Sequence, residues 1–313
     1  MVIDLILCLS FFLRLRYNTT RKNLEIHKIE RRKKIQRLDV DMGKIAVIDS
    51  GIGGLTVAKE IIKLMPNEEI VYFGDQKNCP YGDKTEHEIK TFVYDMIHFL
   101  EQYELKALVI ACNTATSFLL EELQQRLPYP VVGVIEPGAA YALDETKNKK
   151  IGVIATVKTI ESEAYRQTLQ KIDAEAVVYS QACSRLASLI ESPNVTYEAL
   201  HLALEEYLFP LKNKGIDTLI LGCTHYPLIV DQIKQFVGKD VVLIDPAIRT
   251  ATELQRILAE HQLFASSVRT ENHLFFTSGD AKSFSEKTKR WLGFSIVAQH
   301  KKEASNKEGS ALS

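Results

Sequence analysis

From Lys44 onwards the chain alternates short apolar runs with longer amphipathic ones. IAVID (45–49), EIVYFGD (69–75), KALVIA (106–111), VVGVIE (131–136), IGVIA (151–155), AVVYS (176–180), DTLILG (217–222) and VVLID (241–245) are short and rich in Val and Ile. They lack a strict polar alternation, which is the pattern of strands buried on both faces. Between them, LTVAKEIIKLM (55–65), TFVYDMIHFLEQY (91–103), SFLLEELQQRL (117–127) and PLIVDQIKQFV (227–237) carry helical spacing. This alternation predicts an α/β fold with parallel sheets covered by helices on both faces. In such sheets the chemistry sits beyond the carboxyl ends of the strands, so the strand-end residues matter most.

The order of the apolar runs repeats. Ile45–Ile48 matches Ile151–Ile154 after 106 residues, and Val71-Tyr72 matches Val178-Tyr179 after 107. Leu108–Cys112 matches Leu219–Cys223 after 111, and Val134–Pro137 matches Leu243–Pro246 after 109. Four matches in one order predict two similar α/β units facing each other about a pseudo-two-fold axis.

Composition narrows the class. With 313 residues, 46% hydrophobic and 25% charged, the chain suits two ordinary globular domains rather than a disordered or fibrous protein. No apolar run reaches the ~18 residues of a membrane-spanning helix. The net charge of −1 hides an asymmetry: residues 1–42 carry +5 and the remainder −6. The acidic body argues against nucleic-acid binding. Met1–Leu13 is apolar, but Asp4 interrupts it, no basic stretch precedes it and no small-residue cleavage site follows, so it does not read as a signal peptide. KIERRKKIQR (28–37) reads as a basic solvated arm, and a start at Met42 is the alternative. Five scattered cysteines without C-x-x-C suit a reducing cytosol, and no His pair has metal-ligand spacing, so no metal is expected.

Each repeat places one cysteine at the end of its third strand: Cys112 opens CNTAT and Cys223 opens CTHYP. A strand-to-helix turn favours an anion, here a thiolate or a substrate carboxylate. A free thiol has a pKa of about 8.5, so a catalytic one needs a partner for its proton. Asp49, closing the first strand, pairs with Cys112 by the repeat's symmetry, and His225 and Glu191 pair with Cys223. Two thiols flanking one carbon can remove a proton from one face and return one to the other, which inverts a stereocentre without a cofactor. Cys79 and Cys183 read as small buried hydrophobes. DSGIGG (49–54) is not a dinucleotide fingerprint, because the third glycine position holds Thr56.

At these residues the chain resembles the glutamate racemases of the cofactor-independent Asp/Glu racemase superfamily. The resemblance runs from about Lys44 to Trp291 and rests on DSGIGG, PYG (80–82), CNTAT (112–116), GCTHYP (222–227) and FFTSGD (275–280). It implies that Cys112 and Cys223 are the acid/base thiols, the first acting on D-glutamate and the second on L-glutamate, with D-glutamate destined for peptidoglycan. It also implies that Asp49, Ser50, Tyr81, Gly82, Asn113, Thr114, Thr156, Thr224 and His225 bind the amino acid. Glu191 lies in ASLIESP, where the family reads nearer PLVEEG. The implied domains are 43–136 plus 246–300 and 137–245, with the active site in the cleft between them, after a basic extension (1–42) and before a polar tail (301–313). No cofactor, a cytoplasmic homodimer and a glutamate substrate follow from the same resemblance. Rival readings are an aspartate or hydantoin racemase, a nucleotide or sugar-phosphate binding protein, and a thiol redox sensor.

Overall fold

A computed structural model describes residues 43–266 and 273–301. The expected basic extension, and the polar tail beyond Lys301, lie outside these residues. The first unit contains β1 (Lys44–Asp49), α1 (Leu55–Leu64), β2 (Ile70–Gly74), α2 (Glu86–Leu100), β3 (Leu105–Ile110), α3 (Asn113–Arg126) and β4 (Val131–Gly133). The chain then runs through α4 (Ile135–Glu145), β5 (Lys150–Ala155), α5 (Val157–Glu161), α6 (Ala164–Ile172), β6 (Val177–Ala182), α7 (Leu186–Glu191), α8 (Tyr197–Lys212), β7 (Thr218–Gly222), α9 (Val230–Val237) and β8 (Val242–Ile244). Finally α10 (Pro246–Glu260), β9 (Leu274–Thr277), α11 (Ala281–Leu292) and β10 (Ala298–His300) return it to the first sheet.

Both sheets are wholly parallel. The first has the order β10-β9-β2-β1-β3-β4 and the second β6-β5-β7-β8. The internal repeat is therefore real in three dimensions: β2-β1-β3-β4 and β6-β5-β7-β8 are the same arrangement, with β9 and β10 added on one side of the first sheet.

Side-chain alternation assigns each strand residue to one of two cores. Ile45 and Val47 pack with α1, α10 and Phe284 of α11. Ala46 and Ile48 point the other way, towards α2 and α3. In the second sheet Ile151, Val153 and Ile220 pack under α4 and α6, while Ile154, Leu219 and Leu221 pack under α7, α8 and α9. Each such Ile or Leu, removed wholly from water, contributes about 1.5–3 kcal/mol. Covering both faces explains why these strands read as unbroken apolar runs rather than as alternating ones.

Two local expectations change. VVGVIE is a strand only over Val131–Gly133, and Ile135 already begins α4. Pro137 sits in the first turn of α4, where its missing N–H has no helical acceptor to lose. The fourth repeat match therefore paired the start of a helix with a strand. By register the strand counterparts are Val131, opposite Leu108, and Leu243, opposite Leu219, 112 residues apart. Helix α2 starts at Glu86 rather than near Thr91 because Thr85 and Glu88 form a reciprocal capping box.

Candidate active site

The turn after β1 wraps around its own terminal carboxylate. Asp49 is fully buried, and its Oδ2 accepts hydrogen bonds from the backbone N–H of Gly51 (3.0 Å) and Gly54 (2.9 Å). Thr224 Oγ1, from the other unit, donates to Oδ1 at 3.2 Å. A Cβ on Gly54 would stand 2.5 Å from Asp49 Cβ, so the close wrap requires glycine there. Burial pushes the Asp49 carboxyl above its ordinary range, against the opposing pull of His225 and the two N–H groups.

Cys112 follows β3 and caps the N-terminus of α3, as the strand-to-helix reading requires. Its thiol donates to Ser50 Oγ at 3.8 Å. Burial first, and then the nearby Asp49 carboxylate, push this thiol up to about 12. Asp49 thus acts on Cys112 through its field, while its hydrogen bonds go to Gly51, Gly54 and Thr224.

Cys223 follows β7 and has a different partner. His225 Nδ1 lies 3.6 Å from Cys223 Sγ, and His225 Nε2 lies 2.8 Å from Glu191 Oε1. The other Glu191 oxygen accepts from Gln76 Nε2 at 2.9 Å and from Lys287 Nζ at 2.8 Å. Burial works against a charged His225, but its bonds to Cys223, Cys79 and Glu191 outweigh it and hold the imidazole well above its ordinary value. Burial likewise works against an ionised Glu191, but His225 and Lys287 outweigh it and hold the carboxyl well below the usual range. Glu191 at the end of α7, despite its departing sequence context, therefore stands directly behind His225.

The two remaining described cysteines separate. Cys183 is a core residue, packed with Leu186 and Leu204. Cys79 is not: its thiol donates to Glu191 Oε1 at 3.6 Å. The reading of Cys79 as a plain buried hydrophobe fails because the loop after β2 carries it across to the polar cluster of the other unit. The ligating atoms of Cys79, Glu191 and His225 all lie within 4.8 Å of one another.

One crevice between the units is lined by Ser50, Tyr81, Cys112, Asn113 and Thr114 from the first and Thr156, Cys223, Thr224 and His225 from the second. It encloses about 10 Å³, room for about one water molecule and far too little for an amino acid. Asp49 and Glu191 sit behind this lining, and Gly82 lies where a Cβ would be 2.8 Å from Thr156 Cβ. Thr114 Oγ1 lies 2.9 Å from Thr156 Oγ1 and 3.1 Å from Thr159 Oγ1, a hydroxyl cluster that joins α3 to α5. Tyr165 on α6 donates to Asn113 Oδ1 at 2.7 Å and so sets which way that amide faces. Tyr81 donates to Asp75 Oδ2 at 2.6 Å.

Sequence reasoning missed Gln76, Asp75, Thr159, Tyr165 and Lys287. Asp75 and Gln76 directly follow β2 and were open to the strand-end argument. Tyr165 and Lys287 lie within amphipathic helices and carry no local signal.

The family model for Asp/Glu/hydantoin racemase matches residues 45–254, which includes both thiols and the whole crevice lining. The chain belongs to the Asp/Glu/hydantoin racemase family. Within it, a glutamate racemase of Bacillus cereus is 45% identical over 249 residues, covering 80% of this chain and 93% of that relative. A glutamate racemase of Listeria monocytogenes is 42% identical, covering 79% and 93%. Among solved family structures, glutamate racemase isoform RacE1 of Bacillus anthracis is 45% identical with a TM-score of 0.80, covering 83% of this chain and 97% of that one. Glutamate racemase of Francisella tularensis, in complex with D-glutamate, is 35% identical with a TM-score of 0.76 and the same coverage. Among the described residues, no helix is long and apolar enough to cross a membrane.

Proposed function

We propose that this protein is a glutamate racemase that interconverts L- and D-glutamate by proton transfer between two thiols, with no organic cofactor, and that it supplies D-glutamate for peptidoglycan. One observation carries the reading. Cys112 and Cys223, at equivalent strand ends of the two repeats, line the same crevice, each beside its own polar partner. The names of the relatives and the D-glutamate bound in one of them support glutamate as the substrate.

In the L-to-D direction, Cys223 passes its proton to His225, whose imidazolium form is held by Glu191. The resulting thiolate takes the α-proton, and the carbanion receives a proton from the Cys112 thiol on the opposite face. In the D-to-L direction the roles exchange: the Cys112 thiolate takes the α-proton and the Cys223 thiol returns one, with Ser50 hydrogen-bonded to Cys112 and Asp49 acting on it through its field. The N–H groups and hydroxyls of Asn113, Thr114, Thr156 and Thr224 hold the carboxylates and amino group. Exclusion of water strengthens every fixed dipole acting on the charge that develops at the α-carbon.

The same reading divides the chain into domains 43–136 plus 246–300 and 137–245, and makes the enzyme a cytoplasmic homodimer. The decisive test is incubation of the full chain with L-glutamate alone, followed by circular dichroism. Loss of ellipticity to zero without added pyridoxal phosphate supports the reading. No change with glutamate, together with racemisation of aspartate or a hydantoin, transfers the assignment to another substrate of the family. Thermal stabilisation by nucleotides and none by glutamate removes it altogether.

A further inference from the structure

We propose that Cys79, Glu191 and His225 form a binding site for a borderline-soft divalent cation of the zinc type, whose occupation fastens the two units together and switches the enzyme off. The switching half of this proposal rests on the racemase reading above; the binding half does not.

The donor set is one thiol sulfur, one imidazole nitrogen and one carboxylate oxygen, a combination that suits zinc and discriminates against magnesium and calcium. The geometry is close to what such an ion needs. Ligands about 2.0–2.3 Å from a tetrahedral zinc lie about 3.3–3.8 Å from one another. Cys79 Sγ and Glu191 Oε1 are 3.6 Å apart, and all three ligand atoms lie within 4.8 Å of one another. His225 Nε2 and Glu191 Oε1, at 2.8 Å, need only separate by a fraction of an ångström once an ion replaces the proton between them.

The surrounding groups already orient the ligands. Glu191 Oε2 is engaged by Gln76 and Lys287, which leaves Oε1 to face the cluster. His225 Nδ1 faces Cys223, which fixes the ring with Nε2 towards Cys79 and Glu191. Such outer contacts are what preorganise a metal ligand. Gly51 keeps the space open, since a Cβ there would stand 2.7 Å from Glu191 Oε1 and 2.9 Å from Cys79 Sγ. Three protein ligands leave a fourth position for water.

Binding exchanges protons for the ion and changes no oxidation state. The cation forms bonds to sulfur, nitrogen and oxygen, and the Cys79 thiol proton and the His225 Nε2 proton leave to solvent. The consequence for turnover is direct. With Nε2 on a cation, His225 no longer becomes the imidazolium that receives the Cys223 proton. Cys79 belongs to the first unit, and Glu191 and His225 belong to the second, so the ion also bridges the crevice that must open.

Cobalt(II) titration of the full metal-free chain tests the site without any turnover. The expected result is a near-ultraviolet thiolate-to-cobalt band and tetrahedral visible bands that saturate at one equivalent per chain. The bands should persist in the Cys112→Ser/Cys223→Ser double variant. They should vanish in both Cys79→Ser and Cys79→Ala, with zinc affinity reduced at least tenfold in competition with a chelating dye. No band in the full chain, a band that survives both Cys79 substitutions, or a band lost in the double variant overturns the site. Zinc should also abolish racemisation, and a chelator should restore it; full activity with the site saturated overturns the switch. A metal-free chain that fails to racemise glutamate refutes the functional reading instead, and the cobalt spectra still decide the site.

Discussion

His225 Nε2 lies 2.8 Å from Glu191 Oε1, and the far oxygen of the same carboxylate is held by Gln76 and Lys287 of the other unit. The carboxylate therefore does two things. It sets the charge and ring orientation of the histidine beside Cys223, and it ties the units together. Replacing Glu191 by Gln keeps the shape and removes the charge. Loss of a positioned acid/base partner lowers kcat/KM by about 10²–10⁴-fold. The two enantiomers have equal free energy, so circular dichroism should record the same factor in both directions. A variant with wild-type kcat/KM would exclude the proposed role of Glu191.

The same pair predicts a pH window for stability. The folded pKa of Glu191 is depressed, so its contribution is complete above the unfolded value of about 4.3 and is lost as pH falls towards the folded one. The folded pKa of His225 is raised, so its contribution is complete below about 6.5 and is lost as pH rises through the folded value. The difference in Tm between wild type and Glu191→Gln should be widest between these limits and narrow on both sides. A difference that does not vary from pH 3 to 9 contradicts the pairing.

The two thiols predict an isotope pattern. In deuterated water each thiol exchanges with solvent, so the proton returned to the α-carbon is a deuteron. At early times the product enantiomer should carry deuterium at the α-carbon while the remaining substrate keeps protium, as read by mass spectrometry after chiral separation. Deuterium appearing equally in both enantiomers from the start indicates a single base. Cys112→Ser and Cys223→Ser should each lower racemisation by at least about 10²-fold.

Gly54 tests the wrap around Asp49. Gly54→Ala places a methyl group 2.5 Å from Asp49 Cβ and 3.0 Å from Ala111 Cβ, so the turn must shift. Overpacking of this kind costs about 1–3 kcal/mol. Denaturant unfolding should show that loss, and activity should fall because the carboxylate moves with the turn. Unchanged stability would mean that the turn is looser than its hydrogen bonds indicate.

An enclosed volume of about 10 Å³ means that the crevice must open to admit glutamate. The contacts that hold the units together at its rim include those of Glu191 with Gln76 and Lys287, and that of Arg290 with the Pro193 carbonyl at 2.9 Å. Hydrogen exchange in 76–81 and 186–193 should slow when D-glutamate is added, with little change in β1 and β5. Equal protection with and without the amino acid would show that the substrate enters without separation of the units.

The α/β class, the strands β1, β3, β5 and β7 and the repeat were legible in the residues, because a strand covered on both faces must be apolar along its whole length. The two thiols were legible for a related reason: strand ends are fixed by the same runs, and the repeat aligns them. Where several signals met at one point the reading failed, as at Val134–Pro137, where a Pro in the first turn of α4 resembles a strand end. Cys79 and Lys287 were beyond reach. Nothing near either residue in the chain encodes a neighbour more than ninety residues away. Local order follows from spacing and side-chain type, which the one-dimensional pattern carries. Partnership across the crevice depends on how two separately closed sheets face each other, and only the packed tertiary structure decides that.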